Sequence, residues 1–282
     1  MKAIDISWEP DGLFALPVGP WAEDKYRLLS AYMQMFATGM RDKWNKRVFI
    51  DLYSGPGSAI VRDSGKWLKG SPLLALSSKN PFDKYIFCDE DESSITALEK
   101  RIEKHFSGND VTLVRGDCHN KIQDVMSAIP SHSRNQTVLS FCFVDPFSLN
   151  LQFDTIRQLA SKFVDFLILL ALDMDGRRNV KHYIKETNIK VDRFLGLNDW
   201  RKRWSEFSQV DNNFQRFLAD EFEKQMISLG YHKHKRANTR HITTSDKNLP
   251  LYHLAFFSRN SLGYSYWDEC LKYSSNQIPF EF

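Results

Sequence analysis

Apolar side chains in the first part of the chain recur every three or four positions. Between residues 21 and 40 they include Leu29, Met33 and Phe36, and this spacing predicts an amphipathic helix. The period then changes, and residues 48–53 form a short, mostly apolar run that leads into Ser-Gly-Pro-Gly. Such a run is typical of a buried strand that enters a glycine loop. The pattern therefore predicts a helix followed by the first strand of a core sheet.

Four more short apolar runs follow, separated by segments with a helical pattern. The runs predict strands at residues 85–88, 111–114, 138–144 and 163–172. The intervening segments predict helices near residues 72–76, 94–105, 121–129 and 155–160. Strands that alternate with helices are joined by right-handed crossovers and form a parallel sheet with helices on both faces. The predicted fold class is α/β, a Rossmann-like, doubly wound and mostly parallel sheet.

The chain becomes more charged and aromatic after residue 173. Residues 213–229 still carry a clear apolar stripe and predict a long helix, and residues 251–257 predict a strand that returns to the same sheet. We expect four parts: an N-terminal helical extension (1–45), a Rossmann-like core (46–175), a helical insertion that offers a substrate or partner surface (176–248), and a C-terminal strand and helix that complete the core (249–282).

Composition narrows the functional class only a little. A net charge of +3 over 282 residues is nearly neutral, so bulk charge does not point to nucleic acid. The four cysteines are widely scattered, which predicts reduced thiols and no metal site. No apolar run reaches the roughly 20 residues that cross a bilayer, and the N-terminus lacks a signal pattern, so we expect a soluble, cytoplasmic protein.

Candidate ligand-binding residues follow the predicted strands, because open parallel sheets bind ligands beyond the carboxyl ends of their strands. The first strand leads into Gly55-Pro56-Gly57, which lets backbone amides approach a ligand but also occurs in ordinary tight turns. After the second strand, an acid of Asp89-Glu90-Asp91 can accept ribose hydroxyls while Asp91 caps the next helix. After the third, Asp117 can accept from the amine of adenine. The predicted cofactor-binding residues are Asp51, Tyr53, Gly55, Gly57, Asp89, Glu90, Asp117 and Cys118.

The glycine loop also bears on which cofactor binds. A dinucleotide fingerprint requires Gly-x-Gly-x-x-Gly running directly into a helix. Here a polar stretch follows Gly57, and the next plausible helix begins only at Gly70-Ser71-Pro72. A pyrophosphate seat is therefore poorly supported, whereas S-adenosylmethionine (SAM) needs none. We predict SAM as the cofactor and consider a nicotinamide oxidoreductase unlikely.

The fourth strand ends in Asp145-Pro146-Phe147, and these three residues are the catalytic candidates. The aspartate can accept a hydrogen bond from an amine nucleophile, the proline carbonyl can accept a second, and the ring can stack on a planar substrate. The motif resembles the Asp-Pro-Pro-Tyr motif of amino-methyltransferases that act on bases. It differs from that motif at Phe147 and Ser148, and a plain strand-terminating turn explains the same residues.

Basic residues in the C-terminal half are interleaved with aromatic ones. Arg177, Arg178, Trp200 and Arg201 are the candidate substrate-binding residues, and Trp204 and Tyr231 could also stack on a flipped base. The alternative is that these charges belong to solvated helix faces.

Several short motifs, in order, resemble the three-Cys-motif partner (TcmP) proteins, bacterial relatives of class I SAM-dependent methyltransferases. The motifs are residues 18–25, the loop at 51–57, residues 70–73, Gly116-Asp117, Asp145-Pro146-Phe147 and residues 252–258. The chain departs from the family pattern at Leu52-Tyr53-Ser54 and at Ser148, where a glycine is expected. The resemblance implies a methyltransferase-like fold, a partner protein encoded nearby, and a role in nucleic-acid processing or antiviral defence.

Two functions follow from these patterns. The first is a SAM-dependent methyltransferase that acts on a nitrogen of a nucleic-acid base or a similar planar amine, with Asp145 orienting the nucleophile. The second is a catalytically inactive subunit that keeps the fold and works as a binding or scaffolding module with its partner protein.

Overall fold

The computed structural model describes residues 5–172, 177–233, 240–243 and 250–275, and for 177–179, 240–243, 250–252 and 273–275 only the backbone. Ten strands and ten helices follow one another in this described part. They are β1 (Leu16–Val18), α1 (Ala22–Gly39), β2 (Lys46–Asp51), β3 (Ser58–Val61), β4 (Trp67–Lys69), α2 (Ser71–Leu76), β5 (Lys84–Asp89), α3 (Glu92–His105), β6 (Val111–Arg115), α4 (Ile122–Ala128), β7 (Val138–Val144), α5 (Phe153–Leu159), β8 (Val164–Leu170), α6 (Arg177–Tyr183), α7 (Lys190–Leu195), α8 (Trp200–Phe207), α9 (Phe214–Ser228), β9 (Arg240–Thr243), β10 (Pro250–Phe257) and α10 (Ser261–Ser275).

Seven strands form the central sheet, in the order β6–β5–β2–β7–β8–β10–β9. The five strands from β6 to β8 are parallel, while β10 runs antiparallel to both of its neighbours. This order confirms the predicted α/β class, a doubly wound, mostly parallel sheet. The strand order reverses at β2, and the crevice at such a switch point is the usual ligand site of these sheets.

Two hydrophobic cores lie on opposite faces of the central sheet. Alternate side chains of a strand point to opposite faces, so Val48 and Ile50 pack beneath α4, α5 and α7–α9. Phe49, between them, packs on the other face beneath α1, α2, α3 and α10. Every residue of β7 and β8 is buried. Burial on both faces explains why these strands are unbroken apolar runs in the sequence.

A second sheet joins β1, β3 and β4 directly after the glycine loop. These strands are only three or four residues long and are not among the predicted strands. The β3–β4 hairpin fills the polar stretch after Gly57, so α2 begins only at Ser71, as predicted from Gly70-Ser71-Pro72. The loop therefore runs into a hairpin and not into a helix.

The four helices α6 to α9 separate β8 from β9 along the chain. The predicted helix at residues 213–229 is α9, and its Phe222 packs on Phe153 of α5 and Phe194 of α7. These helices belong to the same hydrophobic core as the sheet face that they cover. None of the described helices is long and apolar enough to span a lipid bilayer.

Candidate functional site

The glycine loop after β2 is held by the ends of two neighbouring elements. The Ser54 amide donates to the carbonyl of Cys88 (2.9 Å), and the Gly55 amide donates to Oδ2 of Asp89 (2.6 Å). The fully buried Arg101 of α3 donates from Nη1 to the Pro56 carbonyl (2.6 Å). These contacts fix the loop over the carboxyl end of β5 before any ligand binds.

Gly57 is the position in this loop where only glycine fits. Its φ of +85° lies in the left-handed region that side chains resist. A Cβ there would lie 2.8 Å from Cδ1 of Leu98 and 3.2 Å from Cγ of Leu73. Gly55 also has a positive φ, +59°, but a Cβ there would meet nothing within 4 Å. The first glycine therefore borders open space, whereas the second is packed against α2 and α3.

Asp51, the last residue of β2, is fully buried beneath the loop. Its Oδ1 accepts a hydrogen bond from the Tyr53 amide (3.2 Å), and its Oδ2 has no hydrogen-bond partner among the described residues. Burial, with smaller contributions from the carboxylates of Asp145 and Asp89, raises the pKa of Asp51 to about 7. The Ser71 side chain lowers this pKa and is near Asp51, although it does not meet hydrogen-bond geometry with Oδ2. A buried acid with an unpaired oxygen is typical of a functional site.

The carboxylates after β5 divide between structural and open roles. Asp89 accepts from the amides of Gly55 and Asp91 (2.6 and 2.9 Å), and burial raises its pKa. Glu90 is exposed and lines the cavity described below. Asp91 accepts from the Ser94 amide (2.8 Å), which confirms its predicted role as the cap of α3.

The segment after β6 brings a histidine that sequence analysis missed. Asp117 accepts from the His119 amide (2.8 Å), and burial raises the pKa of the Cys118 thiol to about 12. Nε2 of His119 lies 2.9 Å from the Asn150 carbonyl, and Nδ1 lies 2.6 Å from Oγ1 of Thr155. A carbonyl only accepts, so Nε2 donates and Nδ1 accepts from the threonine. The donor atoms of Asp117, Cys118 and His119 lie within 4.8 Å of one another, but both ring nitrogens already have protein partners.

A cavity of about 550 Å³ opens at this edge of the sheet. Small-molecule sites commonly have this size. Five of the eight predicted cofactor-binding residues line it: Tyr53, Asp89, Glu90, Asp117 and Cys118. The other three, Asp51, Gly55 and Gly57, lie next to these residues in the loop but not among the lining residues. The structure thus brings together most of the predicted cofactor wall.

A second wall of the cavity was not predicted. It comes from the segment around the start of α7, together with the residues that follow β7. Its members are Phe147, Leu149, Asn150, Gln152, Thr187, Asn188, Ile189, Lys190 and Arg193. The two segments that form this wall are about forty residues apart in the chain, so the sequence carries no signal for it beyond the charge of Lys190 and Arg193.

Asp145 lies beside this cavity and pairs with a lysine from α1. Nζ of Lys25 lies 2.5 Å from Oδ2 of Asp145, and Lys25 is 9% exposed. Oδ1 of Asp145 accepts no hydrogen bond from the described residues. The neighbouring Tyr26 is buried, which raises its pKa. Lys25 belongs to residues 18–25, which sequence analysis used only as a resemblance motif.

The two residues after Asp145 behave differently. Pro146 is buried, whereas Phe147 is 84% exposed and presents its ring to the cavity. Ser148, where the family pattern has glycine, adopts a φ of +63°. That conformation explains the preference for glycine, since a side chain there is strained. Lys190 donates to Oγ of Ser148 (2.8 Å) and so joins the two parts of the unpredicted wall.

The predicted substrate-binding residues are not brought together at the cavity. Trp200 is fully buried and packs on Phe214, which contradicts its prediction as a stacking surface. Trp204 and Tyr231 are likewise buried, at 6% and 2% exposure. The apolar spacing of these rings places them in the core, so the prediction that they stack on a base is wrong. The side chains of Arg177 and Arg178 lie outside the described part of the chain.

Arg201 is also used within the protein and not at a free surface. Its guanidinium stacks on Trp200, 4.5 Å from the ring centroid, and pairs with Asp192 (2.8 Å). The same group donates to the carbonyls of Tyr183, Ile184, Lys185 and Asn188. Arg201 therefore holds the segment that leads into the unpredicted wall, and its predicted direct role in substrate binding is contradicted by these contacts.

Comparison with known proteins supports the fold but supplies no family. No protein-family model matches this chain, and no curated protein matches its sequence. Protein LPL1258 from Legionella pneumophila, of the family DUF519, superposes with a TM-score of 0.50 at 10% identity, over 88% of this chain and 90% of that chain. Trm1 from Pyrococcus horikoshii, solved with S-adenosyl-L-methionine, gives a TM-score of 0.47 at 9% identity, over 95% and 63% of the two chains.

A third structure in this comparison is a putative caffeoyl-CoA O-methyltransferase from Staphylococcus aureus. It gives a TM-score of 0.39 at 11% identity, over 80% of this chain and 82% of that chain. At such identities the likeness concerns the fold alone. The more specific resemblance to TcmP proteins stays a prediction.

Proposed function

We propose that this protein binds SAM in the 550 Å³ cavity and transfers its methyl group to a nitrogen of a nucleic-acid base or a similar planar amine. One observation carries the proposal. Three acids, Asp89, Glu90 and Asp117, line a cavity at the carboxyl ends of β5 and β6, beside the switch point at β2. In a doubly wound sheet this is where a nucleoside cofactor binds.

The residues around the cavity fit the groups of SAM. Asp89 or Glu90 would accept the ribose hydroxyls, and Asp117 would accept from the adenine amine. Oδ2 of Asp51 is a buried acceptor without a partner in the described structure, and it suits a donor such as the α-amino group. The hairpin that follows the glycine loop leaves no helix to seat a pyrophosphate, which supports SAM over a dinucleotide.

When bound, SAM would supply an electrophilic methyl group. Transfer would break its C–S bond and form a C–N bond, leaving a neutral thioether, and the methylated amine would release one proton to solvent. The chain's own residues then have to place the amine. Oδ1 of Asp145 would accept a hydrogen bond from that amine, and Lys25 on Oδ2 holds the carboxylate in position. The exposed ring of Phe147 would stack on the planar substrate. Positioning of this kind supplies much of the rate in a direct transfer.

A methyl-transfer experiment tests this proposal. The protein is incubated with SAM labelled in its methyl group and with separate pools of DNA, RNA and protein. We expect label in a nucleic-acid pool, and we expect Asp145→Asn to lower the rate about 100-fold or more. The control is Asp110→Asn. Asp110 is an exposed acid that pairs with Lys84 where β5 and β6 begin, whereas the cavity lies where these strands end. Label that appears only in protein, or that is unchanged in Asp145→Asn, contradicts the proposal.

The second candidate is a non-catalytic subunit that works with a partner protein, as the resemblance to TcmP proteins implies. The Lys25–Asp145 ion pair favours it, since the lysine occupies one oxygen of the acid that catalysis needs. For this candidate we expect SAM to bind without labelling any pool, whether or not the product of the neighbouring gene is added. In such a system, a role in antiviral defence is a further proposal.

A further inference from the structure

The cavity has two walls of opposite charge. The wall formed by the ends of β5 and β6 carries the carboxylates of Asp89, Glu90 and Asp117. The second wall carries the ammonium of Lys190 and the guanidinium of Arg193, one turn of α7 apart. The acidic wall suits the hydroxyls and amines of a nucleoside cofactor. The charge of the basic wall suits a second ligand that carries negative charge.

The basic wall also contains an exposed aromatic ring and a fixed backbone. Phe147 follows Asp145 and Pro146 directly and is 84% exposed. Lys190 is tied to this turn by its hydrogen bond to Ser148 (2.8 Å). The carbonyls of residues 183–188 are fixed by Arg201, so the segment before Lys190 is held in place. An aromatic face and two cations therefore occupy set positions in one wall.

From this geometry we infer that the wall of Phe147, Lys190 and Arg193 binds a nucleotide of a single-stranded nucleic acid. The ring of Phe147 stacks on the base whose amine faces Asp145, and Lys190 and Arg193 contact the phosphates that flank it. Stacking on an aromatic ring with cations along the backbone is the common means of binding single strands. This inference rests on the proposed function for the position of the target amine, but its binding step requires no methylation.

The test is equilibrium binding of a short fluorescent oligonucleotide of mixed sequence, in an RNA arm and a DNA arm, across a range of salt concentrations. For single strands, each phosphate contact contributes about 0.7 to the slope of log K against log salt. We expect Arg193→Gln and Lys190→Gln each to lower that slope by about 0.7, and Arg193→Lys to keep it. Phe147→Ala is expected to weaken binding at least about fivefold.

Matched controls come from the end of the sheet where the parallel strands begin, away from the cavity at their carboxyl ends. Arg134, in the loop before β7, and Lys104, in the last turn of α3, are exposed cations remote from the cavity. Arg134→Gln and Lys104→Gln should leave both the affinity and the slope unchanged. The comparison of the RNA and DNA arms identifies which strand the wall binds.

SAM binding is measured by calorimetry on the same variants, so that the two proposals fail separately. If the wild type does not bind SAM, the proposed function is wrong, and oligonucleotide binding alone tests the inference about the wall. If the wild type binds neither RNA nor DNA, or if Arg193→Gln keeps the full salt slope, the inference about the wall is wrong, whatever SAM does.

Discussion

Replacing Asp51 by asparagine tests whether the carboxylate form of this buried acid, beneath the glycine loop, lowers the free energy of unfolding. Asp51 is fully buried, and its Oδ2 has no hydrogen-bond partner among the described residues. The folded protein therefore favours the neutral acid, and the pKa of Asp51 rises from 3.8 to about 7. An asparagine has a similar shape and carries no proton that titrates.

The sign of the pH effect follows from the direction of this shift. An acid whose pKa is raised by folding stabilises the folded state at low pH, and this contribution is lost as the pH rises through the folded pKa. One pKa unit corresponds to about 1.4 kcal/mol. Between pH 5 and pH 8 the wild type should thus lose about 3 kcal/mol of stability through Asp51, and Asp51→Asn should not.

Urea unfolding at a series of pH values, with SAM titrations beside it, measures both consequences. Asp165→Asn is the matched control, because burial also raises the pKa of Asp165 to about 7. That acid lies near the start of β8, away from the cavity, and interacts with Ser258. We expect both variants to flatten the pH dependence of stability, and only Asp51→Asn to weaken SAM binding.

Two results would contradict this role of Asp51. If the difference in unfolding free energy between the wild type and Asp51→Asn is the same at pH 5 and pH 8, Asp51 does not titrate in this range. If Asp51→Asn and Asp165→Asn affect SAM affinity equally, the unpaired oxygen of Asp51 has no particular role in the site.

Three further predictions concern the loop and the walls. Gly57→Ala should destabilise the fold by about 2–5 kcal/mol, because backbone strain adds to the close contact of the new Cβ with Leu98. Gly65→Ala, at a φ of +67° with nothing within 4 Å of its Cβ, should cost only about 1–2 kcal/mol. Equal losses of unfolding free energy in urea would show that the contact with Leu98 costs nothing. Ser148→Gly should be about 1 kcal/mol more stable than Ser148→Ala in the same assay, because both variants lose the hydroxyl and only glycine adopts the positive φ without strain. An alanine variant of equal stability would show that the backbone at residue 148 is not strained. Arg201→Lys should speed amide hydrogen exchange near residues 183–190, because lysine cannot replace the contacts of the guanidinium with the carbonyls of this segment. SAM binding should not change. Unchanged exchange would show that Arg201 does not hold this segment.

The parallel sheet and the acids that line the cavity could be predicted because their signals are local in the sequence. A strand buried on both faces is a continuous apolar run, so the bounds of β7 agree with the predicted residues 138–144. The acids Asp89 and Asp117 follow their strands directly, and parallel strands bring their carboxyl ends to one edge. For β1, β3 and β4 the runs are too short to carry such a signal.

The rest of the site depends on contacts between distant parts of the chain. Lys25 and Asp145 are 120 residues apart, and Lys190 and Ser148 are 42 apart, so no local pattern joins them. The basic residues around Trp200 in the sequence favour a binding role, but the structure buries its ring. Its spacing from Trp204 places both rings on one side of α8, facing the core, and this apolar stripe was the signal that would have found their burial.

The most direct test of the account is a calorimetric titration of the protein with SAM. We predict binding of one SAM per chain, lost in Asp89→Ala and kept in Asp110→Ala, with circular dichroism confirming that both variants fold. Asp110 is the matched control because it is an exposed acid directly before β6, at the end of the strands away from the cavity. If a folded wild-type protein takes up no SAM, or if Asp89→Ala binds it as tightly as the wild type, the cavity is not the cofactor site and the proposed function is wrong.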